Sequence, residues 1–262
     1  MTPDLDLSQC QYLFTDVDDT LTTGGQLLPE TFAALWQLHH QGVRIIPITG
    51  GCAGWCDQMI RTWPVDAVIG ESGGFYIHRD AERRLQWQFW ESRQQHHIDK
   101  TNILATLEQL ELGFDIHLAR DQPFRLVDVA IDYNQDQRLS ADQVERITQH
   151  LMKQTDFRIK QSSIHINIWR GDFSKGAMAE RLLRDHYHLS DEQMRQRVVF
   201  VGDAPNDESM FERFPNSVGV ANIRPHLPKM THQPHSITQA VSGHGVVELI
   251  NHWLTQRSNA RD

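Results

Sequence analysis

Cysteine is scarce in this chain of 262 residues: Cys10, Cys52 and Cys56 are all it has. So small and odd a number excludes a disulfide-stapled scaffold and fits a reduced compartment. Basic residues are also in deficit, 25 against 34 acidic ones, giving a net charge of −9. That balance excludes broad, charge-driven binding to nucleic acid, and an anionic ligand then needs local positive charge or a metal. No apolar run approaches the roughly 20 residues that span a bilayer. The opening, MTPDLDLSQ, has no basic segment followed by an apolar core. No secretory signal is therefore expected, and the expected location is the cytoplasm. Internal repeats and low-complexity tracts are absent too, which excludes solenoids and linkers. The length suffices for one large or two medium domains.

What is present is organised around Tyr12–Thr20, YLFTDVDDT. Its first half is apolar and β-prone and predicts a buried strand. Asp16, Asp18 and Asp19 arrive as the run ends, and acids there cannot sit in an apolar interior unpaired. In an open α/β sheet the carboxyl ends of the strands form the ligand crevice. A close aspartate pair suits a divalent cation, or a division of labour between nucleophile and proton donor. For this stretch alone an equal alternative is that Asp18 and Asp19 begin a turn with Thr20.

Along the chain, Pro29 starts a predicted helix through His40, with Gly42 placed to end it. Val43–Ile48 predicts a second buried strand, ending at Thr49-Gly50-Gly51. A helix over Gly54–Trp63 stops at Pro64. Val65–Ile69 and Phe75–Ile77 are further apolar runs around Glu71-Ser72-Gly73-Gly74. Short alternation of this kind predicts a doubly wound, mainly parallel sheet.

The texture changes near Asp80. Leu85, Trp87 and Phe89 alternate with polar residues, a polar helix runs roughly over 96–112, and Phe124–Ile131 and Ile164–Ile168 alternate like half-exposed strands. Ser140 and Gln143 form a capping-box start between those two strands. Residues 80–168 are thus expected to be an α+β module inserted into a core made of 1–79 and 169–262. Core texture returns with Ser174 as N-cap of a helix over Lys175–His186, a strand at Val198–Val201, and the acidic turn Gly202-Asp203-Ala204-Pro205-Asn206-Asp207. A helix bearing Met210, Phe211 and Phe214, a strand at Ser217–Ala221 and a helix at Gly245–Leu254 complete the chain.

Three core-type strands therefore deliver chemically capable residues at their carboxyl ends: Asp16 and Asp18, Thr49, and Asp203 with Asp207. With Lys175 at a helix start, this set meets the needs of phosphoryl transfer. Carboxylates hold a hard cation, the cation and the lysine neutralise phosphoryl oxygens, and a hydroxyl with a glycine turn orients them.

Here the sequence resembles the haloacid dehalogenase superfamily of phosphohydrolases. DVDDT resembles its first motif, Thr49-Gly50 its second, Lys175 its third and GDAPND its fourth. The module lies between the second and third motifs and is similar to a type IIB cap. Subclass IIB includes Cof-type, sucrose-phosphate, trehalose-phosphate and mannosyl-3-phosphoglycerate phosphatases, and phosphomannomutase. Ser163–Ala179 and the fourth motif look most like the mannosyl-3-phosphoglycerate phosphatase branch.

The resemblance implies a magnesium-dependent phosphatase of a small phosphorylated metabolite, most simply a sugar phosphate, with no nucleic-acid or membrane partner. Asp16 is the implied nucleophile, forming an aspartyl-phosphate, and Asp18 the implied acid and base. Magnesium is implied on Asp16, the Asp18 backbone carbonyl, Asp203 and Asp207. Thr49, Gly50 and Asn206 are implied phosphoryl or substrate contacts, and Lys175 pairs with Asp16. Two departures bear on substrate class: Gly51 stands where many relatives carry Arg, and Ser72 where many carry Asn. The alternatives are a phosphomutase of the phosphomannomutase type and a non-catalytic sensor of phosphorylated metabolites.

Arg120, Arg125, His165 and Asn167 are candidates for gripping substrate from the module. His165 and Asn167 share a strand face opposite Ile164, Ile166 and Ile168, so they face either the site or water. Trp87, Phe89 and Trp90 could form a sugar-stacking surface, with core packing as the plainer role. Cys52 and Cys56 read as small helix-turn residues, since a lone pair at that spacing makes no zinc site.

Overall fold

The computed structural model describes residues 5–153, 156–162 and 164–259. Residues 1–4, part of the opening read above for a secretory signal, and Ser163, which begins the stretch compared with one phosphatase branch, lie outside them. The first strand, β1 (Tyr12–Thr15), is buried at every residue. Pro29, whose fixed φ suits a first helical position, opens α1 (Pro29–His40). Gly42, at φ 79°, reverses the chain into β2 (Arg44–Pro47). Next come α2 (Ala53–Thr62), β3 (Ala67–Gly70), β4 (Phe75–Arg79) and β5 (Leu85–Phe89).

The middle of the chain builds α3 (Arg93–Glu108), β6 (His117–Leu118), β7 (Val129–Asp132), α4 (Ala141–Met152), β8 (Phe157–Gln161) and β9 (His165–Arg170). The chain then returns through α5 (Lys175–Asp185), α6 (Asp191–Arg197), β10 (Val198–Gly202) and α7 (Glu208–Arg213). The last elements are β11 (Ser217–Gly219), β12 (Ser236–Ile237) and α8 (Ser242–Asn259).

A parallel sheet in the order β12-β11-β10-β1-β2 is the centre of the molecule. Successive residues of β1 feed opposite layers, as the pleat dictates. Leu13 joins Leu35, Leu249 and Trp253 beneath α1 and α8. Tyr12 and Phe14 join Met178, Leu182 and Met210 beneath α5 and α7. This is the expected doubly wound core.

Two expectations fail in detail. The Phe75–Ile77 run does not continue the parallel alternation. It returns antiparallel on β3, because the Glu71–Gly73 turn between them is far too short for a parallel crossover. A parallel bridge from Ile48 to Ile69 links that hairpin to the main sheet. The Leu85–Phe89 alternation, expected within the inserted module, pairs along its length with β4 instead. Trp87 and Phe89 lie against Phe75, and Trp90 packs on the same core, so these aromatics serve packing.

The inserted module is a four-stranded antiparallel sheet, β6-β7-β9-β8. One face packs Val129, Ile131, Ile166 and Ile168 against Ile103 of α3 and Ile147 of α4. The other face carries Asn167 towards the core sheet. Only the last part of the Phe124–Ile131 run is strand, since residues 126–128 turn their N–H groups to a core carboxylate instead. Ser140 with Gln143, and Ser190 with Gln193, form full capping boxes at the starts of α4 and α6.

Candidate active site

β1 and β10 run parallel and in register, Thr15 beside Val201, so their following residues emerge together. Asp16 extends the ladder by donating its N–H to the Val201 carbonyl. Single carboxylate oxygens of Asp16, Asp203 and Asp207, all buried, lie within 4.8 Å of one another. Lys175, first residue of α5, inserts its ammonium 2.5 Å from Asp16 Oδ1 and 2.7 Å from Asp207 Oδ1. The helix start is fixed by Ser174, whose side chain accepts from the Ala177 N–H.

Asp207 has a second duty. Its Oδ2 accepts from the N–H groups of Asp203 and Ala204, at 3.0 and 3.3 Å, closing the turn after β10. Gly202 is required there, since a Cβ would stand 2.4 Å from that oxygen. With both oxygens engaged, Asp207 organises the turn and the lysine.

Asp203 is aimed by partners that motif reading did not single out. Thr20 donates to Oδ1 at 3.0 Å, and Asn222 donates to Oδ2 at 3.1 Å. Asn222 also donates to the carbonyl of Asp19, a residue held at φ 57°, and accepts from the Ser242 N–H. One amide thereby ties the turn after β1, the turn after β10 and the start of α8. Asp18 is half-buried, and its carboxylate is not part of the three-oxygen group.

The electrostatics follow from crowding four carboxylates around one ammonium. Burial pushes Asp16 up to about 8 against the pull of Lys175, with Asp207 and Asp18 adding repulsion. Asp203 is raised well above its ordinary value by burial, then by Asp16 and Asp207. Asp18 is raised by burial, with Lys175 opposing. Burial alone would lower Lys175, but Asp16 and Asp207 hold it above its ordinary value, so it is charged. The pocket is short of positive charge, and its donors are all hard oxygens. That combination fits a magnesium ion.

On the β2 side, Thr49 is buried and its Oγ1 accepts from the Gly51 N–H at 2.8 Å. Among the described residues the buried Asn206 Oδ1 has no hydrogen-bond partner. The module candidates divide. Arg120 is 87% exposed and pairs with Asp136. Arg125 is wholly buried and engaged with Asp121, Asp128 and the Gly50 carbonyl. His165 is buried between Arg125 and Gln135, and burial, then Arg125, lowers its pKa. Asn167 donates to Asp128 and to the Gly50 carbonyl, on the core-facing side of its strand. Cys52 and Cys56 are buried free thiols, raised by burial.

Glu71 was not among the sequence candidates. It is fully buried, and its carboxylate accepts N–H bonds from Ala53 of the core and from Leu126, Val127 and Asp128 of the module. Its one sequence signal was an acid in a glycine turn directly after a buried strand.

A doubly wound core, a strand-rich insertion between β5 and α5 and acids at the ends of β1 and β10 define a hydrolase of the haloacid dehalogenase kind. The chain belongs to the sucrose-6F-phosphate phosphohydrolase family, whose sequence model matches residues 10–254. It is accordingly a phosphoric monoester hydrolase. No curated protein sequence matches the chain.

Among solved structures, a Thermoplasma acidophilum protein aligns at TM-score 0.71 and 14% identity, over 94% of this chain and 99% of that one. The sucrose-phosphatase from Synechocystis sp. PCC6803, solved with sucrose and phosphate, aligns at TM-score 0.64 and 18% identity, over 94% and 98%. A sugar phosphatase of subclass IIB aligns at TM-score 0.64 and 13% identity, over 93% and 98%. At these identities the likeness is one of fold.

Proposed function

We propose that the protein is a magnesium-dependent phosphatase of a small sugar phosphate, working through an aspartyl-phosphate on Asp16. The observation that carries this reading is the meeting of Asp16, Asp203, Asp207 and Lys175 from separate elements in one buried, negatively overcharged pocket. Lys175 occupies Asp16 Oδ1, which leaves Oδ2 to attack phosphorus in line. Asp16, Asp203 and the Asp18 carbonyl would hold the magnesium ion, which when bound would neutralise charge on the phosphoryl oxygens.

Burial raises the pKa of Asp18, which favours its role as the acid that delivers a proton to the leaving alkoxide. The resulting carboxylate then takes a proton from the water that hydrolyses the aspartyl-phosphate. Thr49 donates its hydroxyl to a phosphoryl oxygen, and the unpartnered Asn206 Oδ1 is free to accept from substrate. The module, with residues 90–170 as its proposed extent, covers the site and excludes water during the first transfer. The sucrose-phosphatase neighbour makes a phosphorylated disaccharide the first substrate to try. We place the protein in the cytoplasm on its free thiols. Among the described residues no helix is long and apolar enough to cross a membrane.

The test is a panel of phosphorylated metabolites, sucrose 6F-phosphate among them, with magnesium or with chelator. Release of phosphate is expected only with the ion and without any sugar bisphosphate activator, which separates hydrolysis from a mutase. Asp16→Asn is expected to lose turnover by at least about 10³-fold while keeping its circular dichroism. Substantial turnover by that variant would remove Asp16 as nucleophile.

A further inference from the structure

Arg125 belongs to the inserted module, yet it is among the largest fully buried side chains in the protein. Its Nε and Nη2 meet the two oxygens of Asp121, each at 3.0 Å. Nη1 donates to Asp128 Oδ1 and to the carbonyl of Gly50, both at 2.8 Å. Burial alone would lower its pKa, but Asp128, Asp121 and Glu71 hold it above the ordinary value. For charge pairing alone, two aspartates of its own module suffice. The bond to a main-chain carbonyl of the core is an addition that pairing does not require.

That carbonyl lies next to Thr49. Asn167 Nδ2 reaches the same oxygen at 3.3 Å and is tied at 2.8 Å to Asp128 Oδ2, so Asp128 yokes the two donors. At the other end of the same peptide, the Gly51 N–H donates to Thr49 Oγ1. A hydroxyl that accepts there has its own proton left to donate elsewhere. The spacing between module and turn is set by Glu71, which accepts from Val127 at 2.6 Å and from Ala53 at 3.0 Å.

We propose that Arg125 is a positioning residue for phosphoryl transfer. From the inserted module it fixes the Gly50 carbonyl, hence the Gly50–Gly51 peptide, hence the direction in which Thr49 presents its hydroxyl to a phosphoryl oxygen. This rests on the phosphatase reading above. The core then has its phosphate turn in working geometry only when the module is seated, and the module is part of the catalytic apparatus as well as its cover.

Two variants test this. Arg125→Lys keeps the charge but cannot span Asp121, Asp128 and Gly50 with one ammonium. Arg125→Met with Asp128→Asn removes guanidinium and its wholly buried carboxylate partner together, and leaves only Asp121, which is 18% exposed and within reach of water, to lose its partner. Three measurements are made: amide exchange over residues 49–52, the Kd of inorganic phosphate with magnesium by calorimetry, and kcat and KM for an aryl phosphate. In both variants, exchange at 49–52 rises, phosphate binding weakens at least about tenfold and kcat falls at least about tenfold, at preserved circular dichroism.

Wild-type exchange and phosphate affinity in either folded variant overturn the proposal. If the double variant does not fold, Arg125→Lys decides by the same readouts. If the wild type hydrolyses no phosphomonoester, the functional reading fails, while exchange and phosphate binding still judge the role of Arg125.

Discussion

At Asp16 catalysis and stability oppose each other. A nucleophile must be ionised, yet burial and two neighbouring carboxylates push its pKa from 3.8 up to about 8. The folded protein thus holds a proton there that the unfolded chain releases at lower pH. The stabilisation is complete below pH about 4 and is lost as pH rises towards about 8. Asp16→Asn carries no charge at any pH and escapes that loss. In chelator, its Tm relative to wild type should climb steadily from pH 5 to pH 8. A difference that stays flat across that interval would mean that Lys175 already compensates the charge. Asp16, Asp18, Thr49 and Asp203 stand out in the sequence as candidates because polar residues directly after apolar strands have few structural uses, and Lys175 because it opens a helix behind an N-cap serine. Glu71, Asn222 and Thr20 do not, because their partners are backbone groups or residues roughly 180 to 200 positions away, and no local pattern encodes such pairing.

At the scale of elements, the turn after β3 is the most strained piece of backbone near the site. Glu71, Ser72 and Gly73 adopt φ of 45°, 59° and 107° in succession. A left-handed side-chain-bearing residue costs roughly 1–2 kcal/mol, partly offset here by the flexibility glycine would add to the unfolded chain. Ser72→Gly should therefore stabilise by about 0.5–1 kcal/mol, read as a higher urea midpoint at unchanged slope. A lower midpoint would show that the serine hydroxyl earns its strain. Helices such as Pro29–His40 were legible because start signal, apolar face and stop signal agree. The sequence reads β3 and β4 as parallel because apolar runs look alike in either direction, and only the shortness of the intervening turn discriminates. Residues 126–128 look like strand because their alternation is real, but it serves docking: Val127 packs into the core while the N–H groups of all three face Glu71.

For the molecule as a whole, the inserted module is held by more than its two connections. Glu71 binds three consecutive N–H groups of the module, and a Cβ on Gly74 would stand 2.6 Å from Val127. Glu71→Ala strips the acceptor from four N–H groups and should cost at least about 3 kcal/mol of unfolding free energy. Amide exchange at 126–128 should rise well before that at β1. A cost under about 1 kcal/mol would mean that water takes over the lost bonds.

The placement of β1 between β2 and β10 also governs how the chain can be made. Its β2 flank is covered early, but its β10 flank waits until the whole insertion has been synthesised. Throughout that interval a nascent chain displays the bare edge of a strand that is buried at every residue in the finished fold, the kind of surface that recruits other chains. Chaperone demand and aggregation on refolding should therefore concentrate in species that lack residues beyond about 197, and fragments cut there should be insoluble even though they contain every strand of the module.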